Sequence, residues 1–201
     1  MPNPNPIRPV VVCIALILAQ SAFALSTDRS QPMNLDANQQ KSTQSRTGKA
    51  GDPDITILDG NVVMAQGSMQ EHADHATIYR NPSGVADANG NNGSLTRILL
   101  TGKPAHLQQI HDGDCGLMTA DADTIDYDNL TGIALLTGNV TVIQHGKGEF
   151  HGQRMRYDTN TGEMESGDAS PSSRVHMVMQ PKSQQPKSAP GGDCTKAAGA
   201  H

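Results

Sequence analysis

The side chains able to do chemistry are present in this chain, but their spacing supports little of it. His72 and His75 enclose Ala73 and Asp74 as an H-x-x-H. Residues three apart on an extended strand point to opposite faces, so this pair is expected not to share a metal ion. The eight histidines read as scattered. Asp121, Asp123, Asp126 and Asp128 surround Ile125, but the run lacks the closing glutamate of an EF-hand loop. There is no Gly-x-Ser-x-Gly elbow and no P-loop lysine motif. Cys13, Cys115 and Cys194 have no C-x-x-C spacing, which argues against a zinc module or a dense disulfide framework. The expectation is a binding protein rather than an enzyme, with no metal site and no cofactor.

Composition narrows the ligand class. The chain has 201 residues, 15 Lys+Arg against 20 Asp+Glu, a formal charge of -5 and only 2% aromatics. Phosphate backbones need a surplus of Lys and Arg, so nucleic acid is excluded as the main partner. With so few Phe and Tyr and no Trp, the interior must be built from Ile, Leu, Val and Met. Such a core is thin, or it is left open.

The ends read differently from the middle. Residues 10–19 form an apolar run preceded by Arg8 and followed by Ala22-Phe23-Ala24, the pattern of a signal peptide cut after Ala24. The run is half the ~20 residues needed to cross a bilayer, which argues against a retained anchor. Cys13 lies inside the run rather than at its end, so lipoprotein processing is not expected. Residues 1–24 are therefore assigned to the signal peptide, 25–180 to one folded domain and 181–201 to a disordered tail. Residues 39–52 and 85–94 also read as mobile. Export permits a Cys115–Cys194 disulfide, with two inert thiols as the alternative.

A repeat organises the domain. Gly60 to Tyr79 aligns without a gap to Gly138 to Tyr157, matching Gln66 to Gln144 and Glu71 to Glu149. A weaker copy runs from Thr101-Gly102-Lys103-Pro104 to Tyr127 and needs extra residues around His111 to Asp114. Such periods indicate stacked supersecondary units. Within them apolar residues alternate with polar ones: Ile55 and Ile57, Val140 and Val142, Ile125 and Tyr127, Met155 and Tyr157, and Val175, Met177 and Met179. Period two predicts strands with one apolar face. Asp59-Gly60-Asn61, Asn81-Pro82-Ser83-Gly84, Asp112-Gly113, Thr137-Gly138-Asn139 and Thr161-Gly162 read as turns between them. The fold class is all-β, an antiparallel sheet built from repeated strand units. The inward face is assigned to Met33, Leu35, Ile55, Ile57, Val62, Met64, Ile78, Leu107, Ile125, Val140, Val142, Met155, Val175 and Met177. Flexible Met side chains on it suit variable hydrocarbon, although the same residues would also fill an ordinary sandwich core.

Gln31-Pro32-Met33-Asn34-Leu35, Leu58-Asp59-Gly60-Asn61-Val62, Gln66-Gly67, Ala73-Asp74, Gly102-Lys103-Pro104-Ala105 and Leu135 to Val140 together resemble the OstA family, the LptA-type periplasmic lipopolysaccharide-transport proteins. The likeness covers roughly residues 30–179. It departs from the family in the polar insert at 39–52 and in the long tail. The resemblance implies an open, V-shaped β-jellyroll whose sheets enclose an apolar groove and whose molecules stack end to end. It also implies a periplasmic location, lipopolysaccharide bound through its lipid A acyl chains, and LptC and LptD as partners on the two membranes. Each methylene buried from water gains about 0.8 kcal/mol, so a continuous aliphatic trough suits that cargo. An open sheet leaves unpaired edge groups near Met33 and near Val175 to Met179, which favours head-to-tail strand addition. Lys147, Arg154 and Arg156 are candidates for head-group phosphates, with a plain solvated face as the alternative. An LptC-like membrane-linked partner and a secreted β-repeat carbohydrate-active enzyme are the competing readings.

Overall fold

Ten strands make up a single antiparallel sheet in the computed structural model: β1 (Met33–Asp36), β2 (Gln39–Thr43), β3 (Asp54–Gln66), β4 (Met69–Arg80), β5 (Leu95–Ile110), β6 (Leu117–Asp128), β7 (Ile133–Gln144), β8 (Gly148–Asp158), β9 (Met164–Ser166) and β10 (His176–Met179). The structure describes residues 28, 31–49, 51–82, 94–110, 116–159, 161–167 and 174–181. The signal peptide, all three cysteines, almost all of the 85–94 loop and the tail beyond 181 lie outside the described residues. The strand order is β1-β3-β4-β5-β6-β7-β8-β10, with β2 also on β3 and β9 also on β8. The long strands therefore follow one another as a meander, and four short strands flank its two borders. That antiparallel path is the expected β-jellyroll type and is incompatible with the parallel rungs of a β-helix enzyme.

A crease runs across the long strands. The ladder is interrupted between Asp59 and Val62, His72 and His75, Thr101 and Ala105, Asp121 and Thr124, and Thr137 and Val140. These interruptions lie level with one another, so the sheet bends along a line and presents two half-faces to each other. On β3 and β7 the bend is made by Gly60-Asn61 and Gly138-Asn139, all four with positive φ. The sequence reads these pairs as turns between strands; they are bulges inside single strands. On β5 the bend falls at Pro104, which has no N–H to give and sits where the ladder is already open.

The repeat maps onto this geometry. Each copy begins at the crease of one strand, passes a hairpin and ends at the tyrosine near the end of the next: Tyr79 on β4, Tyr127 on β6, Tyr157 on β8. The hairpins differ in length. Gln66 pairs with Met69, whereas Gln144 pairs with Gly148. That one-residue difference reverses every side chain on the following strand relative to the gapless alignment.

Residues 39–49 and 51–52 are held by backbone pairing and hydrogen bonds, where a mobile stretch was expected. Residues 39–43 form β2 against Asp59 to Ile55 of β3. Beyond it, Asp52 Oδ2 accepts hydrogen bonds from the backbone N–H groups of Arg46 (2.9 Å) and Thr47 (2.8 Å) and from Thr47 Oγ1 (2.9 Å) and Ser45 Oγ (3.0 Å). These donors lower the Asp52 pKa, the Thr47 N–H most.

Candidate functional site

Two rows of side chains face the inside of the fold, one on each side of the crease. The first passes from Leu35 through Met64, Glu71, Leu107, Ala120, Val142 and Phe150 to Met177, each paired with the next across the sheet. The second passes from Leu58 through Ala76, Leu100, Ile125 and Leu136 to Met155. Between the half-faces lies a cavity of about 270 Å³. It extends from Met33, Gln66 and Met69 at one end of the strands to Leu95, Asn129 and Thr159 at the other. Its walls are mostly Ile, Leu, Val, Met and Ala. A cavity near 150 Å³ with aliphatic walls already stays dry and takes up apolar guests, so this larger one is fit to hold hydrocarbon.

Met33, Leu107, Ile125, Val142 and Met155 of the expected inward set line the cavity. Val62, Met64, Ile78 and Val140 are buried on the same face and form the packed core behind it. Leu35 and Met177 share that face by register but are 41% and 59% exposed on the border strands. Val175 precedes β10 and is also exposed.

Ile55 and Ile57 are corrected: they point outward. Leu58 on the same strand is buried, and Ile55 is paired with Tyr79, whose ring carries the Arg97 guanidinium 5.7 Å from its centroid on the outer face. The reason is the Gly60-Asn61 bulge. Read as a turn, it left the two halves of β3 free to take independent parities; as a bulge it keeps Leu58, Val62 and Met64 on one face. The same misreading hid Leu58 itself. Ile98, Leu100, Leu136, Met118, Tyr127 and Tyr157 were missed as well, although Tyr127 and Tyr157 share the parity of Ile125 and Met155. Burial, with Asp158 adding to it, pushes the Tyr157 phenol up.

Two carboxylates, Asp28 and Glu71, sit among the wall residues. Glu71 is 3% exposed, lines the cavity, and has an Oε2 with no hydrogen-bond partner among the described residues. Burial raises its pKa from 4.5 to about 7. Its cross-strand neighbours are Met64 and Leu107, and the other titratable groups along the cavity are Asp28, Tyr127 and Tyr157. Asp28 is satisfied by Ser68, through the backbone N–H at 2.9 Å and the hydroxyl at 2.6 Å. The gapless repeat equates Glu71 with Glu149. The hairpin difference instead makes Phe150 its equivalent, while Glu149 faces outward near His151.

The outer face carries the chemistry the histidines can offer. The bulge between them puts His72 and His75 both outside, where opposite faces were expected. His75 Nδ1 meets Asp59 Oδ1. His72, His106, Asp121, Thr141, His151 and His176 fall on one cross-strand row. Along it His106 Nδ1 lies 2.7 Å from Asp121 Oδ1, and His151 Nδ1 lies 3.1 Å from Thr141 Oγ1. Among the described residues no three His, Cys, Asp or Glu converge on a metal position. Arg154 and Arg156 lie on this outer face beside Met155, away from the cavity.

A protein-family model described as "LptA/(LptD N-terminal domain) LPS transport protein" matches residues 30–163. The lipopolysaccharide export system protein LptA of Escherichia coli (strain K12) is 25% identical over 190 residues, covering 90% of this chain and 89% of that protein. An uncharacterized protein of Rhizobium meliloti (strain 1021) is 27% identical over 176 residues, covering 85% and 88%. The crystal structure of LptH, the LptA-homologous periplasmic component of the lipopolysaccharide transport device of Pseudomonas aeruginosa, superimposes with a TM-score of 0.60 at 27% identity. It covers 77% of this chain and 99% of that one. With this likeness in fold and a family match over residues 30–163, the chain belongs to the LptA/LptD N-terminal domain family of lipopolysaccharide transport proteins.

Proposed function

We propose that this chain binds lipopolysaccharide through its acyl chains in the cavity between the half-faces, and hands it along a bridge across the periplasm between the inner- and outer-membrane transport complexes. The observation that carries this reading is the mostly aliphatic cavity that extends along the strands from one hairpin end towards the other. Fatty chains gain about 0.8 kcal/mol per buried methylene there, while the charged head stays in solvent. LptC on the inner side and LptD on the outer side are the partners, and copies of the chain join head to tail. The border strands support this: β1, β2, β9 and β10 are only three to five residues long and end the sheet with open ladders. Met177 and Met179 are 59% and 77% exposed on the last of them. A strand added there pairs the edge and extends the apolar row.

Photo-crosslinking tests the binding step through strand parity. A crosslinking residue at Leu35 or Val142, on the inner row, captures lipopolysaccharide; one at Asn34 or Thr141, one position away on the outer face, does not. Equal capture at both parities overturns the reading. Sedimentation tests the assembly step: the protein grows with concentration, and a proline at Val178 in β10 stops the growth.

A further inference from the structure

Glu71 occupies a wall position that an apolar residue fills in the last repeat unit, where Phe150 stands. The residue is 3% exposed and its Oε2 is left without a partner among the described residues. A buried polar atom without a partner costs roughly 1–3 kcal/mol, and no neighbour on β3 or β5 relieves that cost, since Met64 and Leu107 are apolar. Other polar groups along the cavity are served from within the chain: Gln66 Nε2 donates to the Gln31 carbonyl at 3.0 Å, and Asp28 is held by Ser68. Glu71 thus brings to the wall of a space that otherwise fits hydrocarbon a carboxyl with one unpartnered, tightly enclosed oxygen.

We propose that Glu71 is the anchor point for an acyl chain that carries a hydroxyl group part-way along its length. The inference rests on the acyl-binding reading above and adds a ligand class to it. The walls demand a ligand that is mostly hydrocarbon, and the orphan oxygen demands one polar group at depth. A hydroxyl meets both demands. It donates to an ionised carboxylate and accepts from a protonated one, so it suits Glu71 in either form, and with burial holding the pKa at about 7 both forms occur near neutrality. A phosphate would set two anions together in a dry site and is disfavoured. The anchor also gives the trough a fixed point: hydrocarbon alone slides, whereas one hydrogen bond sets the depth of the chain.

The test is displacement of a hydrocarbon-binding fluorophore from the processed chain by methyl tetradecanoate and by its hydroxylated counterparts, with the hydroxyl moved along the chain. The wild-type protein prefers one hydroxyl position over the plain chain by roughly three- to tenfold, the size of one net hydrogen bond. Glu71→Leu loses the preference and binds the plain chain at least as well; Glu71→Gln, which keeps a donor and an acceptor, retains a preference. Thermal melts establish that both variants are folded. If wild type takes the plain chain but shows no preference, or if Glu71→Leu keeps it, the anchor is overturned and acyl binding stands. If a matched alkyl amine outcompetes every hydroxylated chain, the ligand class is wrong and the proposal falls. If neither plain nor hydroxylated chain displaces the fluorophore, acyl binding itself falls and the anchor with it.

Discussion

Removing the charge at Glu71 should stabilise the protein, and the gain should grow with pH. The carboxyl titrates at 4.5 when free and at about 7 in the fold, because burial opposes its charged form. Below about pH 4.5 it is protonated in both folded and unfolded chains, and folding carries no ionisation penalty. Between about pH 4.5 and 7 the unfolded chain gives up its proton while the folded chain keeps it. Unfolding then releases a proton, and stability falls as pH rises. Above about pH 7 both states are ionised and the penalty is constant. At ~1.4 kcal/mol per pH unit the full penalty is on the order of 3 kcal/mol, a large share of the 5–15 kcal/mol typical of a domain.

Glu71→Gln keeps the shape and abolishes the titration. Urea unfolding of the two proteins is measured at intervals from about pH 4.5 to 8, and the difference in unfolding free energy is plotted. The other carboxylates and histidines titrate in both proteins and cancel. The difference should rise by about 3 kcal/mol across the window and level off above pH 7. A flat difference would refute the reasoning, since it would mean that water reaches the carboxylate and Glu71 ionises as it would on the surface.

Three further outcomes follow from the fold. Leu100→Ala, at 1% exposure between Ala76 and Ile125, should lower the unfolding free energy by about 2–5 kcal/mol, whereas Ile57→Ala on the outer face should change it by less than about 1 kcal/mol; urea denaturation of the pair checks the parity of β3. Gly138→Ala should cost about 1–3 kcal/mol, because φ is +78° and a Cβ would sit 2.3 Å from Asp123 Oδ2, an atom that Asn139 Nδ2 holds at 3.0 Å; Gly162→Ala, with φ +74° and open space around it, should cost less in the same melt. Asp121→Ala should cost at most about 1 kcal/mol in thermal or urea unfolding, since the His106–Asp121 pair is about one-third exposed on both sides.

The strands were legible because period-two alternation survives a glance along the chain. Val140 and Val142, or Met155 and Tyr157, name their face without help. The repeat was legible too, and it marks real hairpin units. The crease was not. Gly60-Asn61 and Gly138-Asn139 have the composition of a two-residue hairpin turn, and sequence does not distinguish a chain that reverses at such a pair from one that bulges and runs on. That choice depends on whether the next segment finds its partner across the bend, which is a tertiary fact. Ile55 and Ile57 were misassigned by it, and Leu58 was lost. The polar insert was unreadable for a related reason: β2 consists of Gln, Gln, Lys, Ser and Thr, all exposed, and only its backbone ladder to β3 makes it a strand.

Glu71 shows how far local pattern can mislead about function. The sequence repeat pairs it with Glu149, a residue with 46% of its side chain in solvent and His151 beside it, and the pairing invites the conclusion that both are surface charges. The two hairpins differ by a single residue, and in a sheet one residue is the whole distance between inside and outside. Parity must therefore be counted from the hairpin rather than from the aligned glycine. Counted that way, the first unit turns its glutamate inward and the last turns Phe150 inward, so a mostly aliphatic wall gains a carboxyl with one unpartnered oxygen. A purely greasy wall grades ligands by length alone. Under the anchor proposed above, the Glu71 carboxyl would also grade them by where along the chain a hydroxyl sits, and that added discrimination would arise from a turn shorter by one residue.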